Sequence, residues 1–296
     1  MRDAAIDCVR SFNRTVADGI GALDDRFLGR GRPIGESRLL WEIGRGGAEV
    51  RGLRARLGLD SGYVSRVLRS LARERLVRVR ADRADRRVRR ASLTARGLAE
   101  RAVLDRRSDA LARRLLQPLT AAQRASLVAA MTIVERLLQA SMVRFAVEPP
   151  TSGDARWCLA QYYAELAARF DEGFDPARSI PAGARELTPP SGLLVVARLR
   201  GRPIGCGALK LHGTAPAELK RMWVSPEARG VGLGARLLQE LERRACAAGV
   251  RLVRLETNRA LREAIALYRG AGYIEVEPFN DEPYAHHWFE KRLRSR

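Results

Sequence analysis

The chain has few of the residues that mark metal-binding or disulfide-bonded proteins. Its 296 residues include four cysteines and three histidines. The cysteines lie far apart without the CxxC spacing of a metal site, so they are expected to be reduced thiols. His286 and His287 are adjacent in a predicted strand and face opposite sides, so they cannot chelate one ion together. The sequence therefore predicts no metal site.

Long apolar segments are also missing. No run approaches the roughly 18 apolar residues that a helix needs to cross a bilayer. The segment MRDAAIDCVRSFNRTVADGI carries acidic residues among the apolar ones and has no signal-peptide core. We therefore expect a cytoplasmic protein without a membrane partner. The length and a hydrophobic content of 46% suit two globular domains.

Acidic residues are scarce relative to basic ones, and lysine is nearly absent. The formal net charge is +20. Residues 1–150 hold 31 arginines against 17 acidic residues, and residues 51–100 alone hold 15 arginines against five. An arginine-rich genome would raise the arginine content everywhere, but it does not explain this local peak. A segment of such cationic density suits a polyanion, most simply the phosphates of DNA.

The first half of the chain is predicted to be helical, with one short hairpin. Apolar residues recur at helical spacing and then switch to a short alternating pattern. The predicted helices cover 3–28, 36–44, 50–57 and 61–76, two long helices begin at Thr94 and Thr120, and the predicted strands cover 77–80 and 88–93. Two short helices joined by LGLDSG and followed by a basic hairpin form the winged helix-turn-helix pattern.

In that pattern the second helix of the pair lies in the major groove of DNA. Helical spacing turns Val64, Val67, Leu68 and Leu71 toward the core. The predicted DNA-contacting residues are Ser61, Tyr63, Ser65, Arg66 and Arg69 on the outward face of this helix, and Arg83, Arg86 and Arg87 at the hairpin tip. Arg66 or Arg69 could bind guanine bidentately, and the tip arginines could enter a narrow minor groove.

The segment SGYVSRVLRSLARERLVRVR, followed by Asp85-Arg86-Arg87 and then by Leu93-Thr94-Ala95-Arg96-Gly97, resembles the MarR family of regulators. The resemblance covers about residues 1–141. It implies an α-rich winged-helix domain that forms a homodimer through its first and last helices and binds palindromic double-stranded DNA. The alternative is a winged helix that serves only in dimerisation or in binding another protein.

The second half, residues 142–296, is predicted to be an α/β domain. The predicted strands cover 143–147, 193–199, 204–211, 218–224, 252–256, 273–277 and 286–292, and the predicted helices cover 154–170, 232–248 and 261–271. Strands that form an antiparallel meander and then alternate with two crossover helices indicate a mixed, mostly antiparallel sheet.

The main chemical signal is a glycine-rich turn, Arg229-Gly230-Val231-Gly232-Leu233-Gly234, between a strand and a helix. Free N–H groups at a helix start and glycines without side chains let a pyrophosphate approach closely. The segment Gly230-Val231-Gly232-Leu233-Gly234-Ala235 also fits the GxGxxA pattern of dinucleotide sites, with Glu256 in the place of the ribose-binding acid. However, SPEA separates the strand from the glycines and only about 60 residues follow, which argues against that fold.

The same segment resembles the GNAT N-acetyltransferase family, whose cofactor motif is Arg/Gln-x-x-Gly-x-Gly/Ala. Arg229, Gly232 and Gly234 match it, and ETNRALREAIALYRGAGY resembles a second cofactor segment of the family. The resemblance covers about residues 142–296 and implies transfer of an acetyl group from acetyl-CoA to an amine. The cofactor-binding residues that it implies are Met222, Trp223, Val224, Arg229, Gly230, Val231, Gly232, Leu233, Gly234 and Asn258.

Acetyl transfer needs a base for the amine and an acid for the departing thiolate. Glu218 is the candidate base, because period two places it on one strand face with Lys220, Met222 and Val224, near the expected thioester. Tyr268 is the candidate acid through its match to a helix tyrosine of the family. An alternative function is a non-catalytic regulator that senses acetyl-CoA or another small ligand.

The acceptor is expected to be an amino acid, a small amine or a protein lysine. The aromatic residues expected to shape its pocket are Tyr162, Tyr163, Phe170, Phe174 and Tyr284. Asp281 and Glu282 could attract a cationic acceptor, although the favoured interpretation of these two residues is a solvated turn.

Overall fold

The computed structural model describes residues 3–22, 27–82, 85–213 and 215–293. It divides into two compact units, Met1–Thr132 and Ile133–Arg296. The described elements up to the boundary are α1 (Ala4–Ile20), α2 (Ile34–Ile43), β1 (Ala48–Glu49), α3 (Val50–Leu57), α4 (Ser61–Arg73), β2 (Val77–Ala81), β3 (Arg89–Leu93), α5 (Ala95–Leu116) and α6 (Ala121–Ser141). Helix α6 begins in the first unit and ends in the second.

Helix α1 ends earlier than the sequence predicts. The predicted helix over 3–28 stops at Ile20, because Gly21 adopts a left-handed conformation with φ 63° and its N–H bonds back to the helix. A short 3-10 turn, Phe27–Gly29, follows. The predicted residues 23–26 lie outside the described part of the chain.

The first unit has one core between its helices and a small sheet of order β1-β3-β2. Leu39, Leu53, Val64 and Leu71 are fully buried there. Asp60 caps α4, where its carboxylate accepts a hydrogen bond from the Tyr63 N–H at 2.9 Å. The expected helical unit with a hairpin is confirmed, and strand β1 is an addition that the sequence analysis missed.

The hairpin is fixed to α5 at a point of close backbone approach. The Thr94 hydroxyl donates to the Arg75 carbonyl at 2.6 Å and accepts from the Gly97 N–H at 3.0 Å. A Cβ on Gly97 would lie 2.0 Å from the Leu76 carbonyl oxygen. Only glycine fits at this position, which gives a physical reason for the threonine and glycine in the segment Leu93–Gly97.

The second unit is built on a mixed sheet. Its further described elements are β4 (Arg144–Glu148), α7 (Gly153–Arg169), β5 (Gly192–Leu199), β6 (Arg202–Lys210), β7 (Ala217–Val224), α8 (Leu233–Ala247), β8 (Leu252–Thr257), α9 (Arg262–Gly270), β9 (Ile274–Val276) and β10 (His287–Arg292). Within the described residues the strand order is β4-β5-β6-β7-β8-β10-β9, and the β7–β8 pair alone is parallel. This confirms the mixed, mostly antiparallel sheet.

Helices cover both faces of this sheet. Val195 packs with Leu237 and Leu241 of α8, whereas Leu194 packs in a second cluster with Cys158 of α7. The alternation follows from the period of two along a strand. The sheet is therefore covered by α8 and α9 on one side and by α7 on the other.

Strands β7 and β8 separate soon after they begin. They pair at Ala217 with Val253 and at Glu218 with Arg254, and no further pair is found between them in the described residues. The edge of β7 that faces β8 is therefore free of ladder hydrogen bonds beyond Glu218. This separation opens the sheet at the place where the glycine-rich turn follows.

A bulge in β7 changes which side chains share a face. Cys206 of β6 pairs with Trp223 and Ala208 pairs with Lys220, so β7 carries one extra residue between these pairs. Arg221 lies in this bulge with a left-handed φ of 55°.

The bulge reverses the alternation of side chains beyond it. Met222 and Val224 pack against the α8–α9 core that contains Leu219, and Trp223 packs on the α7 side. The expectation that Met222 and Val224 share a face with Glu218 is therefore wrong.

Candidate functional site

A groove opens in the second unit where β7 separates from β8. Its walls come from one face of α7, the end of β7, the start of α8 and one face of α9. The predicted cofactor residues that line it are Met222, Trp223, Val224, Arg229, Gly230, Gly232, Leu233 and Gly234. Val231 and Asn258 are not among its described lining residues.

The glycine-rich turn has the backbone geometry of an anion cradle. Gly230 and Gly232 adopt left-handed φ values of 75° and 76°, which disfavour any residue with a Cβ. Gly232 is the N-cap of α8 and provides no side-chain acceptor. The N–H groups of the first helical turn therefore remain available for a negatively charged group.

Arg229 braces the turn from inside. Its Nε donates to the Val224 carbonyl at 2.9 Å and its Nη2 donates to Glu165 Oε2 at 2.5 Å. Trp223 Nε1 donates to the same carboxylate oxygen at 2.9 Å. Burial raises the pKa of Glu165, but the hydrogen bonds from Arg229 and Trp223 outweigh it and hold that pKa below its ordinary value. The charge of Arg229 therefore already has a partner.

A second cation lies beside the turn. Arg136, on the part of α6 that belongs to the second unit, donates from Nη2 to the Arg229 carbonyl at 2.8 Å. A Cβ on Gly230 would lie 3.0 Å from the same nitrogen. Sequence reasoning missed Arg136, because it is 93 residues away from the turn and belongs to no motif.

A second pocket adjoins the groove. The residues that line both are Tyr162, Leu166, Met222, Leu261, Ala264 and Tyr268. Of the aromatic residues predicted to shape an acceptor pocket, Tyr162, Phe170, Phe174 and Tyr284 line it. Tyr163 does not line the pocket, but its ring stacks on Phe174 with 5.9 Å between centroids. The polar residues of the pocket are Ser179, Lys220, Arg221, Glu256, Thr257, Asn258 and Glu282.

Tyr268 lies at the junction of the groove and the pocket. It is buried, and its ring packs on Tyr273 and Phe289 with centroids 5.8 and 6.1 Å away. Burial raises the pKa of its phenol above the ordinary value. The hydroxyl therefore stays protonated at neutral pH.

Glu218 lies at the last paired position of β7 and β8. Its carboxylate contacts His212 Nε2 at 2.8 Å and Lys220 Nζ at 3.0 Å. Burial raises the pKa of Glu218, but the attraction of Lys220 outweighs it and leaves the pKa below its ordinary value. Glu218 is not among the described residues that line the pocket, whereas Glu256, which also pairs with Lys220, lines it.

Two polar residues shape the pocket wall. Glu282 is buried and accepts hydrogen bonds from Ser179 Oγ at 2.9 Å and from the Ile180 N–H at 2.8 Å. The solvated-turn interpretation is therefore wrong for Glu282. Asn258 donates to the Tyr284 carbonyl at 2.8 Å and accepts from the Ala260 N–H at 2.9 Å, so its amide holds the end of β8.

In the first unit, most of the predicted DNA-contacting side chains of α4 point outward. Ser61, Ser65, Arg66 and Arg69 are exposed. Tyr63 is half-buried against the core, and its hydroxyl lies 2.0 Å from the position of a Cβ on Gly35. The outward placement of Tyr63 is therefore wrong, because the missing side chain at Gly35 leaves room for the ring to pack inward.

A concave surface runs between α3, α4 and the hairpin. Ser61, Ser65, Arg69 and Arg87 line it together with Arg51, Arg54 and Arg89. The arginines among these residues outnumber the acidic lining residues, which are Glu49 and Asp85. The formal charge of the surface is therefore positive. Arg86 is exposed at the hairpin tip. Arg83 lies outside the described residues.

Neither a metal-binding cluster nor a membrane span occurs in the part of the chain that the structure describes. Within it, no three His, Cys, Asp or Glu side chains come together in a way that could hold a metal ion. No described helix combines the length and the hydropathy that a membrane span requires.

Each half of the chain matches a known protein family. Residues 159–273 match the acetyltransferase (GNAT) family. An N-alpha-acetyltransferase RimI of Mycobacterium tuberculosis is 37% identical over 134 residues, which cover 44% of this chain and 81% of that protein. The chain belongs to the GNAT family. Residues 30–88 match the MarR family, so a MarR-type domain precedes the GNAT domain.

Other similar proteins cover parts of the chain. An IAA acetyltransferase of Azospirillum brasilense is 41% identical over 99 residues, which are 33% of this chain and 63% of that relative. The chain therefore spans less than two thirds of that relative's length. The structure of a mutant MarR from E. coli is similar at 19% identity and a TM-score of 0.39, covering 45% of this chain and 97% of that one.

Three polar residues of the site lie outside the glycine-rich motif, and the sequence analysis missed them for that reason. Glu165, Arg221 and Glu256 reach the site from α7, from a strand bulge and from the end of β8. None of them belongs to the glycine-rich motif. The sequence does mark Glu256, since it ends a predicted strand, but there it fits the ribose-binding acid of the dinucleotide pattern.

Proposed function

We propose that this protein transfers an acetyl group from acetyl-CoA to an amine and that its MarR domain binds operator DNA as a homodimer. The observation that carries the enzymatic part is Tyr268, a buried protonated phenol at the junction of the groove and the pocket. This position suits an acid that acts where a thioester meets an acceptor.

Three features of the groove support acetyl-CoA as its ligand. The uncapped start of α8 and the left-handed glycines Gly230 and Gly232 would receive the pyrophosphate, with Arg136 nearby as a cation. The free edge of β7 around Met222 and Val224 would bind the pantetheine arm through backbone groups. Acetyl-CoA supplies the acetyl group as a thioester, with its thiolate as the leaving group.

Residues of the chain remove a proton from the acceptor and give one to the departing sulfur. A carboxylate, Glu218 or Glu256, takes one proton from the ammonium form of the acceptor, in the case of Glu218 through a water molecule. The neutral amine then forms the C–N bond to the acetyl carbon, and its nitrogen loses a second proton to solvent as the C–S bond breaks. Tyr268 gives its phenolic proton to the sulfur and recovers one from solvent. Two protons leave nitrogen, one reaches sulfur and one is released, so the reaction balances.

The decisive experiment compares the wild-type protein with Tyr268→Phe. Release of free CoA thiol from acetyl-CoA is measured with a panel of amines. We expect turnover with at least one amine and a fall in kcat of about 100-fold or more in the variant, the range of general acid catalysis. Because the pKa of Tyr268 is raised, its loss of a proton should not lower kcat between about pH 7 and 9.

Tyr273→Phe is the matched control. Tyr273 packs against Tyr268 at 5.8 Å between centroids but does not line the groove or the pocket, so its variant should keep wild-type kcat. Full activity of Tyr268→Phe would reject Tyr268 as the acid. Tight acetyl-CoA binding without turnover on any amine would favour the alternative function, a regulator that senses the cofactor.

Two observations support the DNA-binding part of the proposal. The concave arginine-rich surface contains Ser61, Ser65 and Arg69 of α4 and Arg87 of the hairpin, on the elements that a winged helix presents to DNA. Helix α1 has no buried residue and carries an uncovered apolar stripe, Ile6, Val9, Phe12 and Val16. A second copy of the chain would cover this stripe.

A further inference from the structure

Arg221 differs from Lys220 and Arg229, two other cations of the site. It lines the acceptor pocket and is only 8% exposed. Its Nε is buried and makes no hydrogen bond. By contrast, Lys220 pairs with Glu218 and Glu256, and Arg229 pairs with Glu165. Among the described residues, no ion pair joins Arg221 to a carboxylate.

The two carboxylates among the described residues that line the pocket are committed to other groups. Glu256 pairs with Lys220. Glu282 is held by Ser179 and by the Ile180 backbone. The Arg221 guanidinium instead lies over the rings of Tyr162 and Tyr163, 5.8 and 5.0 Å from their centroids. These ring contacts orient the guanidinium without neutralising its charge.

Placing Arg221 in this way costs stability. A guanidinium removed from water without an anionic partner is unfavourable. The backbone at Arg221 is also left-handed, with φ 55°, which disfavours any residue with a Cβ. Arrangements of this kind persist where the unpaired group has a ligand to bind.

We infer that the amine acceptor carries a carboxylate group that binds Arg221, so that the acceptor is an amino acid with an apolar side chain. The aromatic wall formed by Phe170, Phe174 and Tyr284 would receive the side chain. The amine would then face Tyr268 and Glu256, which line the same pocket. This inference rests on the proposed function and narrows its acceptor class.

The test compares an acid with its neutral amide, so that only the carboxylate differs. Binding of N-acetyl-L-phenylalanine and of N-acetyl-L-phenylalaninamide, which represent products of the reaction, is measured by calorimetry in the presence of CoA. We expect the wild-type protein to bind the acid about 30-fold more tightly than the amide, as for a charge-assisted pair. In Arg221→Gln that ratio should fall to about one, and Arg221→Lys should restore part of it.

Arg178→Gln is the control for a general effect of charge. Arg178 is exposed and lies over the Tyr284 ring at 5.7 Å, so its loss should leave the ratio between acid and amide unchanged. Equal wild-type affinity for the two ligands, or no binding of either, would overturn the inference. So would an equal loss of both affinities in Arg221→Gln, which is the result expected from a purely structural role.

Turnover assays distinguish failure of this inference from failure of the proposed enzymatic function on which it rests. Acetylation of amines without any preference for the carboxylate would reject the inference and keep the proposed enzyme. Preference for the acid in binding, without turnover on L-phenylalanine or any other amine, would reject the enzyme and keep the carboxylate site. The wild-type binding ratio needs no variant, so poor folding of Arg221→Gln would not hide the answer.

Discussion

At the scale of single residues, the site contains two carboxylates that could accept the proton of the amine. Both pair with Lys220, but they differ in position. Glu256 lines the second pocket together with Tyr268, whereas Glu218 contacts His212 away from the described lining of that pocket. The opposite faces of Glu218 and Met222 follow from the bulge at Arg221. Geometry therefore favours Glu256 for direct contact with an acceptor.

A pair of amide substitutions separates the two carboxylates. Glu256→Gln should lower kcat by about 100-fold with little change in the KM for acetyl-CoA, because a base in the pocket is lost. Glu218→Gln should have the smaller effect, since its carboxylate would act only through water. Both constants are measured by thiol release. The opposite order of effects would return the role of base to Glu218.

Residues of the site differ in how well the sequence predicts them. The glycine-rich turn was predicted because Gly230 and Gly232 need left-handed backbone, and glycine signals that need. Arg221 adopts a similar φ without being glycine or asparagine, so no local signal marked the bulge. Tyr63 turned inward because Gly35, 28 positions earlier in the chain, leaves space for its ring. Such pairings depend on tertiary packing, which spacing along one helix does not contain.

At the scale of elements, caps and close contacts set the boundaries. Helix α3 ends at Leu57 as predicted, because Gly58 adopts a left-handed φ of 63°. Thr94 caps α5 as predicted. The two-residue strand β1 was missed because so short a segment shows no alternation, and it forms only by pairing with β3. Elements with their own local signals were predictable, and those created by pairing were not.

The contact between Gly97 and the hairpin yields a stability prediction. Gly97→Ala should destabilise the MarR domain by about 2 kcal/mol or more, since its Cβ would lie 2.0 Å from the Leu76 carbonyl oxygen. Urea unfolding followed by circular dichroism measures the change. Gly31→Ala is the matched control, because its Cβ meets no atom within 4 Å, and it should change stability by less than about 0.5 kcal/mol. Equal stability of the two variants would contradict the close approach.

In the chain as a whole, α1 presents an apolar face that none of the described residues buries. Ile6, Val9, Phe12 and Val16 are between 39 and 56% exposed. They recur at helical spacing and form one stripe. Val128 and Met131 of α6 are exposed to a similar degree, at 51 and 53%. The homodimer that the MarR resemblance implies would remove these surfaces from water.

Substitution in this stripe should separate the dimer and weaken DNA binding together. Val9→Asp should give a monomer by analytical ultracentrifugation. Its affinity for operator DNA, followed by fluorescence anisotropy, should fall about 100-fold, because each half-site is then bound singly. Ser11→Asp on the opposite face of α1 adds the same charge and should change neither property. A Val9→Asp protein that stays dimeric would reject this interface.

Helix α6 belongs to both units, so dividing the gene at the end of this helix would remove contacts from the second unit. The sequence places the proposed domain boundary between residues 141 and 142, at the end of this helix, whereas the compact units divide after Thr132. In its last turns, Arg136 donates to the carbonyl of Arg229 and Ala140 accepts from Arg236. A fragment that begins at residue 142 would encode the acetyltransferase without these contacts, while one that begins at residue 133 would retain them. Recombination that exchanges the regulator for another would therefore have to keep the final turns of α6 with the enzyme.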